Sequence, residues 1–167
     1  MQKIALVTGS FQGIGKGIAD LLSNEGYTVV YSDVRDQMEG VTYYCKCDIS
    51  NSNDRDALCE YIEKNFGRLD LLVNNAGIAC KIRMDILETT EESFERLINI
   101  NTKGTFFMCQ KFANYMISKI GKVEEYQPRI VNIASNSSYT SSVSRGEYCI
   151  SKAGNCTPNT TIPSGGA

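Results

Sequence analysis

Three features of the sequence predict an α/β fold built on a doubly wound parallel sheet. Apolar, β-branched segments alternate with amphipathic helical segments from residue 4 to residue 152. A glycine-rich turn, Gly9–Gly15, joins the first predicted strand to the first predicted helix. The fourth predicted strand, residues 69–73, is almost wholly apolar, as expected of a strand covered on both faces. Such alternation favours right-handed crossovers and parallel strands.

The order of the elements follows from their residue patterns. Strands are predicted over residues 4–7, 27–32, 41–47, 69–73 and 129–134. The first helix carries an apolar stripe of Ile14, Ile18, Leu21 and Leu22. Later helices are predicted over residues 53–66, from a capping box of Thr89 and Glu92 to about residue 120, and from Tyr148 onward. The strand order 3-2-1-4-5 would place a ligand crevice where the order reverses.

The glycine turn has the spacing Gly9-x-x-x-Gly13-x-Gly15. Glycines let the backbone turn sharply and approach phosphate oxygens closely, and the following helix presents unpaired N–H groups. The turn between strand and helix therefore predicts a pyrophosphate site. The alternative is an ordinary glycine-rich turn without a ligand.

Asp33 lies at the end of the second predicted strand, where a dinucleotide site places the acidic partner of the ribose. Its carboxylate can accept hydrogen bonds from both ribose hydroxyls and would repel a 2′-phosphate, which favours NAD over NADP. Arg35 follows two residues later and weakens this preference. The alternative is a solvated turn aspartate.

Further candidates follow the third and fourth predicted strands. Asp48 and Ile49 come just past the third strand and could flank an adenine, although Asp48 could equally belong to a helix-capping turn. Asn74-Asn75-Ala76-Gly77 ends the fourth strand. Its small residues leave room for a ribose, and its asparagines can tie neighbouring strand ends together.

Composition limits the classes of function. The chain has 167 residues, a net charge of −2 and no histidine. One domain is expected, with no nucleic-acid partner, no membrane span and, since Met1 leads directly into a strand, no signal peptide; we therefore expect a cytoplasmic protein. The seven cysteines are irregularly spaced, which favours reduced thiols and no metal site. Without histidine, a Ser-His-Asp hydrolase is excluded.

A possible proton-transfer site lies near the end of the chain. Tyr148 and Lys152 are four residues apart and share one helix face. A nearby cation favours the phenolate, so such a phenol can exchange a proton with a carbonyl oxygen or alcohol. Ser135, at the end of the fifth predicted strand, could bind the same oxygen. Taken alone, the tyrosine–lysine pair could equally be an ordinary surface helix.

Together these motifs resemble the short-chain dehydrogenase/reductase family, in particular its 3-oxoacyl-acyl-carrier-protein reductase-like members. The resemblance runs from Lys3 to Gly154 and rests on motifs in the family's order and spacing. They are Thr8-Gly9-x-x-x-Gly13-x-Gly15, Asn74-Asn75-Ala76-Gly77, Asn101, Ser135 and Tyr148-x-x-x-Lys152. The fold it implies is Rossmann-like.

The resemblance implies a role for each matching residue. Tyr148 would be the catalytic acid/base, and Lys152 would lower its pKa and bind the nicotinamide ribose. Ser135 would orient the substrate oxygen, and Asn101 would hold a water on the proton path, the alternative for Asn101 being a polar residue at a helix kink. The residues implied to bind the cofactor, NAD rather than NADP, are Gly9, Ser10, Phe11, Gln12, Gly13, Ile14, Gly15, Asp33, Asp48, Ile49, Asn75, Ala76, Gly77, Tyr148 and Lys152.

The end of the chain departs from the family pattern. Residues 1–154 are expected to form an incomplete dinucleotide-binding domain that lacks the family's last strands. From Gly154 to Ala167 the sequence contains two prolines, three glycines and no helical periodicity, which predicts an irregular tail over residues 155–167. The expected function is NAD(P)-dependent interconversion of a ketone and a secondary alcohol. The alternatives are a truncated, non-catalytic nucleotide-binding remnant and a chain that does not fold stably; the family's homo-oligomer is in doubt.

Overall fold

A five-stranded parallel sheet organises the computed structural model, which describes residues 2–155. The strand order is β3-β2-β1-β4-β5, and each neighbouring pair is parallel. The chain therefore runs outward from β1 to one edge, returns, and continues to the other edge, which is the doubly wound pattern. The predicted α/β fold and strand order are confirmed.

The secondary structure of the described residues alternates between strands and helices. The strands are β1 (Ile4–Thr8), β2 (Thr28–Asp33), β3 (Tyr44–Lys46), β4 (Leu71–Asn74) and β5 (Arg129–Asn132). The helices are α1 (Gly13–Asn24), α2 (Ser52–Phe66), α3 (Glu91–Leu97), α4 (Thr105–Lys119) and α5 (Gly146–Gly154). A π-helical segment, Ile98–Gly104, joins α3 to α4, and a short 3-10 helix, Asn136–Ser138, follows β5.

The core consists of two apolar layers, one on each face of the sheet. Every residue of β1 is buried, and its side chains alternate between the two layers. Ile4 and Leu6 belong to the layer that includes α2 and α4 residues such as Leu58 and Phe112. Ala5 and Val7 belong to the other layer, which packs against α1. Burial on both faces is what a central parallel strand requires.

Several predicted strand limits were too generous. β3 covers three residues instead of seven, and β5 ends at Asn132 instead of residue 134. Each lies at an edge of the sheet and pairs with a single neighbour, so its ladder extends only as far as that neighbour allows. β4 begins two residues late, because Asp70 instead accepts a side-chain hydrogen bond from the backbone N–H of Ile4.

The apolar stripe predicted for α1 is only half buried in the core. Ile18 and Leu22 pack against the sheet, whereas Ile14 is 70% exposed and Leu21 is 60% exposed. The buried positions of the helix are Gly15 and Ala19. Small residues at the contact let α1 approach the sheet closely.

The long helix predicted up to residue 120 is interrupted. A π-helical segment separates α3 from α4, and Asn101 and Gly104 lie within it. The helix begins one residue later than predicted, because Thr90, not Thr89, accepts the capping hydrogen bond from the N–H of Ser93 at 3.2 Å. Phe94, predicted to be in the core, is 39% exposed.

The last described helix, α5, begins at Gly146, two residues before the predicted start. It packs against α3, the π-helical segment and the 3-10 helix. Asn155, the first residue of the predicted tail, is buried just beyond it, and the rest of that tail lies outside the described residues. Among the helices within residues 2–155, none has the length and apolar character needed to cross a bilayer.

Candidate active site

The glycine turn after β1 is crowded at two of its glycines. Gly9 has a φ of +64°, and a Cβ there would lie 2.8 Å from the Cα of Ala76. A Cβ at Gly15 would lie 2.2 Å from the carbonyl oxygen of Gly9 and 2.3 Å from Nδ2 of Asn75. Real side chains do not tolerate such contacts, so the turn requires glycine at both positions.

The amino terminus of α1 is open to an anion. Its N-cap residue, Gln12, makes no side-chain capping bond, and the first turn contains no acidic residue. Gly13 has a φ of +60° and no atom within 4 Å of an added Cβ. The amino terminus of α1 thus has no side-chain cap and has open space beside Gly13, which fits a pyrophosphate group at the positive end of the helix dipole. The side chain of Ile14, the residue after Gly13, is exposed to solvent at this end of the helix.

Ser10 fastens this turn to the neighbouring strand. Its hydroxyl is buried, accepts a hydrogen bond from the N–H of Ser32 at 2.8 Å and donates to the carbonyl oxygen of Ser32 at 3.3 Å. The side chain is thus committed to holding β2 against the turn. Contact of Ser10 with a cofactor stays a prediction.

Asp33 ends β2 beside the glycine turn, as predicted. Its half-buried carboxylate accepts two long hydrogen bonds of 3.4 Å, one from the N–H of Phe11 and one from the N–H of Arg35. The Arg35 guanidinium lies 3.8 Å from the centroid of the Phe11 ring and donates to Oε1 of Gln12 at 3.2 Å. The carboxylate oxygens keep lone pairs for hydroxyl donors, which fits a ribose.

Asp48 and Ile49 have structural partners of their own. Oδ1 of Asp48 accepts hydrogen bonds from the N–H of Ser50 at 2.9 Å and from its hydroxyl at 2.7 Å. These contacts support the turn-capping interpretation of Asp48. Ile49 is buried against Gly104, and its carbonyl oxygen accepts from Nη1 of Arg55 at 2.6 Å. An adenine contact for either residue stays a prediction.

The segment after β4 ties the glycine turn to the rest of the site. Nδ2 of Asn75 donates to the carbonyl oxygens of Thr8 at 3.1 Å and Gly9 at 3.0 Å. The Thr8 hydroxyl oxygen accepts from the N–H groups of Asn75 and Ala76. Asn74 bridges in the other direction, donating to Oδ1 of Asn132 at 2.9 Å. The asparagines therefore link neighbouring strand ends, as the sequence predicted.

Asn101 is fully buried in the π-helical segment and has protein partners on both sides. Its Oδ1 accepts from the N–H of Ile78 at 2.8 Å, and its Nδ2 donates to the carbonyl oxygen of Ile78 and to Oγ of Ser151, each at 2.9 Å. These bonds fix the loop after β4 and α5 to one point. The water predicted at Asn101 stays a prediction.

Lys152 enters the same region from α5. Lys152 is 6% exposed, and its Nζ donates to the carbonyl oxygen of Ile133 at 3.3 Å. A Cβ at Gly77 would lie 3.2 Å both from Nζ of Lys152 and from Oδ1 of Asn101. Glycine at position 77 therefore leaves the space in which the ammonium and the amide lie side by side.

Ser135 and Tyr148 lie in the segments that flank this point. Oγ of Ser135 accepts from the N–H of Ser137 at 3.2 Å and caps the 3-10 helix, which is held to α5 by a 2.9 Å bond from Ser138 to the carbonyl oxygen of Lys152. Tyr148 is half-buried, and the Arg145 guanidinium lies 5.7 Å from its ring centroid. The structure thus gathers the segments that carry the predicted residues, while their catalytic roles stay predictions.

Two residues near the site escaped the sequence interpretation. Glu147 is 2% exposed, and its Oε1 accepts a hydrogen bond from Oγ of Ser93 at 3.1 Å. Desolvation and the Glu147 carboxylate raise the pKa of the Cys80 thiol. Glu147 therefore joins α5, α3 and the loop after β4. The sequence gives no sign that Glu147 is buried, because glutamate side chains are usually exposed to solvent.

Comparison with known proteins identifies the family. The sequence model described as short chain dehydrogenase matches residues 3–158. The chain belongs to the short chain dehydrogenase family. The predicted family membership is confirmed. The chain is therefore related to oxidoreductases, the dehydrogenases and reductases of that family. Within residues 2–155, no group of three or more potential ligand side chains could hold a metal ion.

Individual members of the short chain dehydrogenase family resemble the chain over most of its length. A diacetyl reductase, (S)-acetoin forming, of Staphylococcus epidermidis is 33% identical and is matched over 91% of this chain and 61% of its own length. A 3-oxoacyl-acyl-carrier-protein reductase of Thermotoga maritima is 34% identical over 91% and 63%, respectively. The chain thus spans about three fifths of the length of these relatives.

A solved structure supports the same fold. The 3-oxoacyl-acyl-carrier-protein reductase of Brucella melitensis in complex with NAD has a TM-score of 0.85 and 32% identity to this chain. The match covers 92% of this chain and 64% of that structure. Together with the family, it supports a nicotinamide cofactor, without distinguishing NAD from NADP.

Proposed function

We propose that this chain carries the site of a nicotinamide-dependent oxidoreductase that interconverts a ketone and a secondary alcohol. The observation that carries the proposal is the burial of Lys152 beside Asn101 in the space left by Gly77. Buried lysines are rare unless a function or a partner retains them. Tyr148 lies one helical turn before this ammonium on α5.

In this proposal, Tyr148 moves the proton. Its hydroxyl gives a proton to the carbonyl oxygen during reduction or takes one from the alcohol during oxidation. Lys152 binds the nicotinamide ribose beside it, and the Ser135 hydroxyl orients the substrate oxygen. Asn101 positions α5 against the loop after β4. The nicotinamide, when bound, supplies or accepts the hydride.

The preferred cofactor in this proposal is NAD. The open amino terminus of α1 would hold the pyrophosphate, and Asp33 would accept hydrogen bonds from the adenosine ribose. A carboxylate at this position repels a 2′-phosphate. Phe11 and Gln12, the uncharged side chains of the glycine turn, add no cation for that phosphate.

The proposed substrate is a small carbonyl compound or its alcohol. The two relatives named above are, by their names, a diacetyl reductase and a 3-oxoacyl-acyl-carrier-protein reductase, so diacetyl and a 3-oxoacyl compound belong in a first panel. We also place the activity in the cytoplasm. The six cysteines within the described residues are free, which agrees with a reducing compartment.

The test is NADH oxidation by the chain with a panel of ketones that includes diacetyl and a 3-oxoacyl thioester. Turnover by the unsubstituted chain should fall by about 100-fold or more in Tyr148→Phe, because the proton donor is lost. Tyr61→Phe, a hydroxyl deletion on α2 away from the site, should keep the rate. Equal rates in the unsubstituted chain and Tyr148→Phe would contradict the mechanism.

A second candidate is nucleotide binding without turnover. The bonds that hold the glycine turn come from Ser10, Ser32, Thr8 and Asn75, all within the first half of the chain. The adenosine end could therefore bind a dinucleotide even where the catalytic end is inactive. Calorimetric titration with NAD separates the candidates: binding without turnover favours the second, and no binding removes both.

A further inference from the structure

An arginine folds back over the glycine turn at the rim of the site. The guanidinium carbon of Arg35 lies 3.8 Å from the centroid of the Phe11 ring, and Nη2 donates to Oε1 of Gln12 at 3.2 Å. Stacking on an aromatic face combined with a hydrogen bond is a favourable arrangement for a planar guanidinium. The two contacts join Arg35 to Phe11 and Gln12, which lie more than 20 positions earlier in the sequence.

The backbone of Arg35 is fixed as well. Its N–H donates to Oδ1 of Asp33 at 3.4 Å, and its carbonyl oxygen accepts from the Tyr44 hydroxyl at 2.6 Å. The root of the side chain is therefore held between β2 and β3, and Phe11 and Gln12 determine where its charged end lies. Among the described residues, the guanidinium makes no ion pair with a carboxylate.

The position of this guanidinium matters because the two nicotinamide dinucleotides differ by one phosphate on the adenosine ribose. A carboxylate at the end of the second strand accepts the free 2′-hydroxyl, whereas a nearby arginine accommodates the 2′-phosphate. This chain carries both groups, Asp33 and Arg35, two residues apart. The presence of both residues in the sequence does not determine whether NAD or NADP is preferred. That preference depends on whether the Arg35 side chain is free to turn toward the 2′-phosphate.

We propose that Phe11 holds Arg35 against the glycine turn and thereby suppresses NADP binding. The inference rests on the proposed function, since it needs a dinucleotide to bind beside Asp33. A stacked guanidinium must give up the Phe11 ring and the Gln12 amide before it can pair with a phosphate. Without the ring, it offers several N–H donors to the phosphate and offsets the repulsion from Asp33. Phe11 is then the specificity-determining residue at the adenosine end.

The test is calorimetric titration of the whole chain with NAD and with NADP. The unsubstituted chain should bind NAD more tightly. Phe11→Leu and Phe11→Ala, measured together in case one fails to fold, should raise the affinity for NADP relative to NAD by about two- to five-fold, the range of an exposed cation–π contact. Phe11→Tyr, which keeps the ring, should keep the original ratio.

A second substitution shows whether Arg35 is responsible. Adding Arg35→Ala to Phe11→Leu should abolish the gain, whereas adding Lys64→Ala, which removes an exposed cation at the far end of α2, should preserve it. An unchanged ratio in Phe11→Leu, or a gain that survives Arg35→Ala, would overturn the inference. Equal affinity of the unsubstituted chain for NAD and NADP would overturn it while leaving the proposed function intact. Failure to bind NAD at all would overturn both.

Discussion

Single residues at the glycine turn are constrained by close backbone contacts. Gly15 is buried where α1 begins, and an added Cβ would collide with backbone of Gly9 and with the Asn75 amide. Asn75 cannot move away without breaking its bonds to Thr8 and Gly9. Gly17, two residues further along the same helix, has no atom within 4 Å of an added Cβ.

This contrast gives a matched pair of substitutions. Gly15→Ala should lower the free energy of unfolding by about 1–3 kcal/mol, because the new methyl group is overpacked. Gly17→Ala should raise it by about 0.5–1 kcal/mol, because alanine favours the helix and meets nothing. Urea unfolding of the two variants measures both effects. Equal effects of the same sign would show that the turn is not crowded as described.

Some residues of the candidate site could be predicted from the sequence, and others could not. The glycines, Asp33 and the asparagines after β4 were predictable because their chemistry fixes their position relative to a strand end. The contact between Phe11 and Arg35 was not, because it depends on side chains that approach only after β1 and β2 pair. The burial of Glu147 was equally hidden, since a lone charged residue predicts exposure.

Among the secondary-structure elements, the π-helical segment has the most consequence for the site. It places Asn101 where one amide joins the loop after β4, through Ile78, to α5, through Ser151. A π-helical turn widens the helix and commonly marks a functional site. Sequence periodicity predicted a continuous helix here because the apolar spacing on either side of the segment is preserved.

Removing this junction should destabilise the protein. Asn101→Ala leaves the half-buried N–H and carbonyl groups of Ile78 without their partner and removes the buried bond to Ser151, so the free energy of unfolding should fall by about 1–3 kcal/mol. Asn65→Ala, which removes an exposed bond to the Tyr61 carbonyl on α2, should change it by less than about 0.5 kcal/mol. Chemical denaturation compares the two. If Asn101→Ala lowered the free energy of unfolding no more than Asn65→Ala, Asn101 would not be the junction described.

Helices α2 and α4 are joined by a polar cluster on the surface. Lys119 donates to Oε1 of Glu63 at 2.8 Å, and the Tyr115 hydroxyl donates to Oε2 at 2.8 Å. The hydrogen bond from Lys119, followed by that from Tyr115, lowers the pKa of Glu63. Because the folded-state pKa is depressed, this carboxylate stabilises the fold above its unfolded-state pKa of about 4.3.

The cluster predicts a pH dependence of stability. Its contribution should be complete at neutral pH and should be lost as the pH falls through the folded-state pKa of Glu63. Glu63→Gln should therefore lower the melting temperature at pH 7, and the difference from the unsubstituted chain should shrink toward pH 3. Glu60→Gln, on the exposed face of α2, is the control. A difference for Glu63→Gln that stays constant over this range would be inconsistent with the cluster.

At the scale of the whole molecule, topology brings distant sequence motifs to one edge of the sheet. β1, β2, β4 and β5 are parallel, so the glycine turn, Asp33, the segment after β4 and Ser135 all follow carboxyl ends of strands. Alternation and strand order were therefore sufficient to predict that these segments meet at one end of the sheet. The strand limits and the buried face of α1 were not predictable, because they depend on the length of the neighbouring strand and on packing at Gly15 and Ala19.

We propose that a nicotinamide dinucleotide binds across this edge of the sheet, with Tyr148 and Lys152 at its catalytic end. A crystal structure of the chain grown with NAD tests it most directly. We expect the pyrophosphate at the amino terminus of α1, the adenosine ribose on Asp33, and the nicotinamide ribose within hydrogen-bond distance of Tyr148 and Lys152. NAD bound elsewhere, or bound at the glycine turn with Tyr148 and Lys152 out of reach of it, would contradict the claim.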